Sequence, residues 1–147
     1  MIDEIDRQLV EALQQDGRQA YTKLAARVGL SEAAVRQRVQ RLIEDEVVQV
    51  VGVTNPLMLG FRRMAMVGIN TEGDLRSIAD AISAIDEVSY VVIVAGSFDI
   101  LCEIVIEDDA AMFTVLNERI RKIKGVRSTE TFTYLQLQKQ TFTWGAR

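Results

Sequence analysis

The chain lacks histidine altogether and has one cysteine and one proline among its 147 residues. Without histidine, imidazole acid–base catalysis, histidine-containing triads and most zinc sites are excluded. Carboxylate and lysine chemistry remain open, but no pair of such residues stands at a suggestive spacing. We therefore expect that the chain is not an enzyme and has no catalytic residues, no metal site and no cofactor.

Long apolar runs are missing as well. No run reaches the ~18 residues that a membrane span needs, and the first residues are acidic, unlike those of a signal peptide. We expect a cytoplasmic protein with no membrane partner. The single cysteine, Cys102, lies in the apolar run from Ile100 to Ile106, which favours a buried thiol over a nucleophile.

Two short helical patterns meet at the sequence Val-Gly-Leu-Ser in the first third of the chain. Leu24, Ala25 and Val28 recur at helical spacing, and the small Ala25 lets a second helix cross closely. Gly29 is expected to cap the first helix in the left-handed region, and Ser31 to cap the start of the second. This arrangement predicts a helix-turn-helix, whose second helix enters the DNA major groove.

The second helix of this pair has two chemically different faces. At ~100° per residue, Val35, Val39 and Leu42 fall on one arc, which is predicted to pack inward. Arginine can bond guanine bidentately, and glutamine can do so with adenine. The residues predicted to meet DNA are Lys23, Ser31, Ala33, Arg36, Gln37, Arg38, Gln40 and Arg41. The alternative is an ordinary amphipathic helix with a solvated charged face.

The net charge of −4 is unusual for a DNA-binding protein, but charge is placed unevenly. Residues 21–42 carry five basic residues and one acid, whereas acids cluster at residues 3–6 and 44–46. Screening confines charge effects to ~10 Å, so local placement matters more than the total. A basic face on an acidic body is compatible with DNA and predicts modest non-specific affinity.

A first helix is predicted from Asp3, as its N-cap, to Gln14, and the β-branched run from Val47 to Val53 reads as a strand. Glycine, asparagine and proline then punctuate the chain. We expect three parts: a helix-turn-helix domain, winged-helix-like, over residues 1–50, a strand and linker hinge over 51–61, and a second domain over 62–147.

The second domain alternates strand and helix patterns in the order βαββαβ, which predicts a ferredoxin-like arrangement and an α+β fold. Its expected elements are strand 64–70, helix 74–85, strands 88–94 and 100–106, helix 108–123 and a long strand 126–140. In the second helix, Met112, Phe113, Leu116, Ile120 and Ile123 are expected to face inward. The sheet face without helices keeps apolar groups, which predicts a two-fold dimer; the alternative is that the N-terminal unit covers it.

The combined pattern resembles the Lrp/AsnC family of feast/famine transcription regulators over essentially the whole chain. The resemblance rests on IDRQLVEALQQDGR at 5–18, LAARVGLSEAAVRQRVQRL at 24–42, NPLMLG at 55–60, GSFD at 96–99 and KGV at 124–126. It implies a bacterial or archaeal, nucleoid-associated regulator that dimerises through its C-terminal domain and assembles into tetramers or octamers. It also implies an amino acid or similar metabolite bound between dimers.

The family's Gly-x-x-Asp turn maps onto Gly96 and Asp99, with Ser97 and Phe98 between them. The resemblance implies that Asp99 takes the α-ammonium group of an amino-acid effector. Thr129, Thr131 and Thr133 are added as candidate hydroxyl donors from the last strand. The alternative is a plain hairpin loop with no ligand.

Two departures from the family pattern stand out. The second helix begins at Ala20-Tyr21 without the usual serine cap, and the tail at 141–147 matches no family pattern. We expect a sequence-specific DNA-binding transcriptional regulator, modulated by an amino acid or similar metabolite. The alternatives are an effector-independent architectural DNA protein or an amino-acid-binding regulatory module of metabolism.

Overall fold

The computed structural model describes residues 2–142, and the chain divides into two compact units. Of the described residues, the first unit contains 2–53 together with 139–142, and the second is Thr54–Gln138. The division falls within the expected hinge. The last five residues of the unusual tail, 143–147, lie outside the described residues.

Three helices form the first unit: α1 Glu4–Gln15, α2 Tyr21–Val28 and α3 Glu32–Glu44. Asp3 caps α1 as predicted, and it forms a reciprocal capping box with Asp6. Gly29 ends α2 with a φ of 70°, and the Ser31 hydroxyl accepts from the Ala34 N–H at 3.2 Å to open α3. The predicted turn chemistry of the helix-turn-helix is therefore confirmed.

The core of the first unit is small and apolar. Leu9, Leu24 and Val35 are fully buried, one from each helix, and Val39 and Leu42 of α3 lie beside them. These are the positions that helical periodicity predicts. Burial of the three α3 side chains, Val35, Val39 and Leu42, fixes which side of α3 faces outward.

The predicted strand from Val47 to Val53 is wrong. This segment has no regular secondary structure and joins no sheet, and it is followed by a 3₁₀ turn at Pro56–Leu59, capped by Asn55. A strand exists only when another strand supplies its hydrogen bonds, and no part of residues 2–142 does so here. The first unit therefore has no wing in the described chain.

The second unit is a four-stranded antiparallel sheet with helices after the first and third strands. Its elements are β1 Arg63–Thr71, α4 Leu75–Ser83, β2 Val88–Ile93, β3 Ile100–Ile106, α5 Asp109–Thr114 and β4 Val126–Thr133. The strand order is β2-β3-β1-β4. This is the expected ferredoxin-like arrangement, with both helices on one face.

Alternation along the strands separates the two faces of the sheet. Ile100, Cys102, Ile104 and Ile106 of β3 are fully buried under the helices. Ala65, Val67 and Ile69 of β1 pair across from this strand and join the same core. The opposite face, which we call the open face, carries the intervening residues Met64, Met66, Gly68, Leu101, Glu103, Val105 and Phe132.

Two expectations for the second unit are wrong in detail. Leu116 is buried as expected, but Phe113, which is also expected inward, is 61% exposed. A π turn at Val115–Arg119 interrupts the regular helical period, and Val115 joins the core beside Leu116. The last strand ends at Thr133 rather than near residue 140. Thr133 pairs with Ala65, close to the start of β1, so the chain beyond has little strand left to pair with.

Candidate DNA-binding surface and the 96–99 turn

Helix α3 presents one side to solvent because Val35, Val39 and Leu42 hold its other side in the core. The predicted DNA residues Ala33, Arg36, Gln37, Gln40 and Arg41 are exposed on α3, and Arg38 is half-buried. Lys23 is exposed on α2, and Ser31 is exposed at the N-cap of α3. The structure thus places all eight predicted residues on the helix-turn-helix surface, with Arg38 nearest the core.

Each arginine of α3 is paired with an acid inside the unit. The Arg36 Nη2 donates to Glu32 Oε1 at 2.9 Å, and its guanidinium lies 4.4 Å from the centre of the Tyr21 ring. Arg38 and Arg41 turn the other way, towards the start of α1. The basic face is therefore less positive than a count of its arginines indicates.

The start of α1 holds two carboxylates that meet these arginines. Arg38 Nη1 donates to Asp3 Oδ2 at 2.6 Å and to Asp6 Oδ1 at 2.8 Å, and Arg41 Nη2 donates to Asp6 Oδ2 at 2.8 Å. The Asp6 N–H and the Arg38 guanidinium both stabilise the Asp3 carboxylate, so its pKa is lowered. The Asp3 and Asp6 hydrogen bonds in turn raise the pKa of Arg38.

The glutamines differ in how they are held. Gln40 Nε2 donates to Glu44 Oε1 at 2.9 Å. Gln37 makes no side-chain hydrogen bond within residues 2–142, and neither does Lys23. A shallow groove of about 500 Å³ runs along this side of α3, and it is lined by Ala34, Gln37, Arg38, Gln40, Arg41 and Glu44. Amide and guanidinium donors therefore share one open groove, as base and phosphate recognition requires.

The turn at residues 96–99 connects β2 to β3. Its ends are closed by the Val94 N–H, which donates to the Asp99 carbonyl at 2.9 Å. Asp99 Oδ2 accepts from the Thr71 N–H at 2.7 Å and from the Thr71 hydroxyl at 3.1 Å. Gly96 and Ser97 are exposed. One oxygen of Asp99 therefore anchors the turn to β1, a role that the sequence did not reveal.

Phe98 folds onto the open face of the sheet. A Cβ at Gly68 would lie 2.7 Å from the Phe98 ring, so only glycine leaves room for the ring there. The ring also meets Phe132 edge-on, with 6.1 Å between centroids and an interplanar angle of 78°. Phe98 is thus part of the apolar surface of the open face.

The predicted threonines do not join this turn. Thr129, Thr131 and Thr133 pair with Ile69, Val67 and Ala65, whose side chains face the helices, so all three lie on the face opposite to Phe98. Thr129 Oγ1 accepts instead from the Arg121 Nε at 2.9 Å. The three threonines and the 96–99 turn, which are predicted to form one effector site, therefore lie on opposite faces of the sheet.

The structure also adds residues that the sequence analysis did not select: Asp6, Tyr21, Gly68 and Thr71. Asp6 carried a local signal, since it stands three residues after the N-cap Asp3, at the reciprocal position of a capping box. Its bonds to α3 had no such signal, because they join residues 32 and 35 positions apart. Tyr21, Gly68 and Thr71 act through neighbours distant in sequence.

Other kinds of site are not seen in the described part of the chain. No cluster of three or more histidine, cysteine or acidic side chains within residues 2–142 could hold a metal ion. No helix there is both long and apolar enough to cross a bilayer. Burial raises the pKa of the Cys102 thiol to about 11, which keeps it protonated and unreactive at neutral pH.

A helix-turn-helix with an open amide and guanidinium face, followed by a ferredoxin-like domain, defines a class of two-domain DNA-binding proteins. Comparison with known proteins specifies the family. Residues 2–43 match the AsnC-type helix-turn-helix domain, and residues 61–147 match a domain described as a C-terminal dimeric alpha+beta barrel. An HTH-type transcriptional regulator of Pyrococcus abyssi is 33% identical over 146 residues, which cover 98% of this chain and 90% of that protein.

Solved structures agree with this assignment. The leucine response regulatory protein of Mycobacterium tuberculosis is 33% identical, with a TM-score of 0.83 and coverage of 95% of this chain and 96% of that one. A transcriptional regulator of Neisseria meningitidis, solved as a complex with L-Met, shares the fold at 22% identity and a TM-score of 0.87, covering 96% and 94%.

The chain belongs to the Lrp/AsnC family and is a DNA-binding transcriptional regulator of that type. The resemblance seen in the sequence is therefore confirmed, and so is the expectation that the chain is not an enzyme, because the family consists of DNA-binding regulators.

Proposed function

We propose that α3 reads specific DNA sequences through its exposed face and that an amino acid or similar metabolite modulates this binding. The observation that carries the first part is the division of α3 into a buried valine and leucine side and an exposed arginine and glutamine side. The base and phosphate contacts come from Arg36, Gln37, Gln40 and Arg41, with Ala33 exposed on the same helix. Contacts to the DNA backbone come from Lys23 and Ser31, and Arg38 lies on the side of α3 nearer the core.

The test is DNA binding measured by mobility shift on the upstream region of the protein's own gene. Arg36→Ala and Arg41→Ala are each expected to weaken specific binding about 5- to 100-fold, the range for loss of one good base or phosphate contact. Arg127→Ala is the matched control, because its side chain is 66% exposed, similar to the 60% of Arg36, and lies in the second unit. Unchanged affinity in both α3 variants would refute this assignment.

The same experiment separates the rival functions. We call the upstream region of the protein's own gene the operator. An architectural DNA protein would bind the operator and an unrelated duplex with nearly equal affinity, so that the ratio of the two affinities is near one. An amino-acid-binding module that acts only on proteins would show no DNA binding in the wild type.

We place the effector at the turn of residues 96–99. Gly96 and Ser97 expose backbone N–H groups that suit a carboxylate, and Asp99 uses only Oδ2 for its bonds to Thr71. Its Oδ1 makes no hydrogen bond within the described residues and can accept from an α-ammonium group. The structure of the Neisseria meningitidis relative with L-Met supports an amino acid as the ligand class. The turn lies on the other side of the sheet from Thr129, Thr131 and Thr133 of the same subunit. These threonines can contact the effector only if they come from a second subunit.

A thermal-shift screen of the twenty amino acids tests this placement. A ligand that binds the folded protein raises the midpoint temperature of unfolding, and the rise grows with the ligand concentration. Asp99→Asn keeps an acceptor for Thr71 but removes the charge, so it is expected to abolish the shift. Thr71→Val is the control that loosens the turn and leaves the charge. An equal shift in the wild type and in Asp99→Asn would place the ligand elsewhere.

We also propose a homodimer joined through the open face, with further assembly to a tetramer or octamer. Tyr90 and Phe132 are 52% and 46% exposed there, beside Met66 and Val105. Such an apolar face is expected to be covered by a second copy, and the matched family domain is described as dimeric. Phe132→Glu is expected to yield monomers in analytical ultracentrifugation. Phe113→Glu, an equally large change at a 61% exposed phenylalanine of the helix layer, is expected to leave the dimer intact.

A further inference from the structure

Asp6 is the one fully buried charged residue among residues 2–142. It lies in the first turn of α1, next to α3 rather than towards solvent. Its two carboxylate oxygens accept from different arginines of α3, Oδ1 from Arg38 and Oδ2 from Arg41, each at 2.8 Å. Oδ2 also accepts from the Asp3 N–H at 3.1 Å. A single buried carboxylate thus connects the start of α1 to two of the predicted DNA residues.

Burying a carboxylate away from water costs folding free energy unless charged donors bond to it, and here two guanidiniums do so. Each arginine donates to Asp6 through only one nitrogen. Arg38 uses Nη1 for both of its acids, and Arg41 uses Nη2 alone, so within the described residues their remaining N–H groups have no protein acceptor. Arg41 keeps 52% of its side chain exposed, and both arginines line the groove beside Gln37 and Gln40.

This geometry has two consequences for DNA. A guanidinium fixed at one nitrogen loses most of its rotational freedom, so its other donors approach a base or phosphate from a set direction. The nearby negative charge also cancels part of the field that attracts any phosphate backbone. The first effect favours a correctly placed operator, and the second weakens binding to unrelated DNA.

We propose that Asp6 is a positioning residue for DNA recognition, which fixes Arg38 and Arg41 in the α3 groove and raises the ratio of specific to non-specific affinity. The inference rests on the proposed function, in which α3 reads the DNA sequence. Asp6 itself contacts no DNA. It acts through the two arginines.

The primary test compares Asp6→Asn with Glu11→Gln in the full-length protein. Both substitutions remove one negative charge from α1, but Glu11 pairs with Arg27 of α2, not with α3. Affinities for the operator and for an unrelated duplex are measured over a range of salt concentrations. Freed arginines gain phosphate contacts, and each added contact steepens the slope of log affinity against log salt by about 0.9.

For Asp6→Asn we expect a specific-to-non-specific ratio about 10-fold lower, higher affinity for the unrelated duplex and a steeper salt slope on it. For Glu11→Gln we expect a ratio within about twofold of the wild type, since only general charge changes. If Asp6 merely supports the fold, Asp6→Asn would lower both affinities together and leave their ratio unchanged, and the proposal would be overturned.

A second variant keeps the test valid if Asp6→Asn does not fold. Arg41→Lys retains the charge at a half-exposed position but loses the fork that can bond Asp6 and DNA at once. We expect it to lower the ratio while non-specific affinity and its salt slope stay the same. An unchanged ratio for Arg41→Lys would overturn the proposal.

The proposed function and the role of Asp6 are tested by different outcomes. If the wild type shows no preference for the upstream region of its own gene, or if Arg36→Ala and Arg41→Ala both bind like the wild type, the proposed reading of DNA by α3 is wrong. If those controls behave as expected and either Asp6→Asn or Arg41→Lys leaves the ratio unchanged, only the role of Asp6 is wrong.

Discussion

The two units of this chain handle polar groups in opposite ways. The helical unit has eight buried apolar residues in the described chain, and it also buries the charged Asp6 beneath two arginines. The sheet unit has thirteen buried apolar residues, and none of its described charged side chains is fully buried. In the first unit an ion-pair network reaches the functional surface, whereas in the second a layered apolar core leaves a turn and an open face for function.

The difference follows from size and shape. A small three-helix core excludes little water and leaves short distances between helix ends, so charged side chains complete the packing. A sheet covered by helices offers a continuous apolar layer, in which an unpaired charge is expensive. Substitutions that act on one unit but not on the other therefore test this contrast directly.

The largest expected effect comes from the two cores. Leu24→Ala and Ile104→Ala each remove a fully buried side chain, at a cost of about 2–5 kcal/mol in the free energy of unfolding. We expect Leu24→Ala to reduce hydrogen-exchange protection mainly in the helical unit and to abolish DNA binding, and Ile104→Ala to reduce it mainly in the sheet. Equal loss of protection in both units, for both variants, would contradict the contrast.

A smaller effect is expected at the close contact between Gly68 and Phe98. Gly68→Ala places a methyl group 2.7 Å from the ring and is expected to cost about 1–3 kcal/mol, the usual penalty of overpacking. Thermal unfolding would measure the loss. Phe98→Ala in the same chain should recover most of it, because the methyl group then has space. If the double variant is as unstable as the sum of the single ones, the contact is not the cause.

The smallest effect is the acid dependence of the exposed ion pairs. The Asp6 N–H and Arg38 lower the pKa of Asp3 in the helical unit, and Arg63 lowers that of Asp109 in the sheet unit. Because both folded pKa values lie below the usual 3.8, the stabilisation is present above that value and is lost as pH falls through the folded pKa.

Carboxyl titration followed by NMR in each unit would measure these shifts, with Asp3→Asn and Asp109→Asn as matched variants. Each variant should flatten the fall in stability below the ordinary carboxyl pKa of 3.8 only slightly, since exposed pairs contribute little. If the titration midpoint of the Asp3 carboxyl is at or above the ordinary value of 3.8, Arg38 does not stabilise this carboxylate in solution.

Much of the fold follows from local patterns. Strand β3 has the predicted bounds, Ile100–Ile106, because its strict alternation of buried and half-buried residues extends over the whole run. Helix α3 packs Val35 and Val39 as periodicity requires, and the Gly29 and Ser31 caps lie where their backbone preferences place them. In each case the information is contained within a few neighbouring residues.

The errors have a common cause. The run Val47–Val53 has the composition of a strand but no pairing partner in the described chain, and β4 ends at Thr133, where β1 nears its own start. Phe113 was assigned inward by a regular helical period that the π turn interrupts. The effector residues were combined across the sheet because sequence does not state which face the threonines share with the turn.

The sequence by itself determined the helix-turn-helix, the order of strands and helices, and the family, because periodicity, caps and turn residues act over a few positions. Only the tertiary structure decided that Asp6 holds Arg38 and Arg41, that Phe98 covers Gly68 and that Thr71 anchors Asp99. Those contacts join residues 28 to 35 positions apart, and such partners meet only after the cores have packed and fixed the distances between elements.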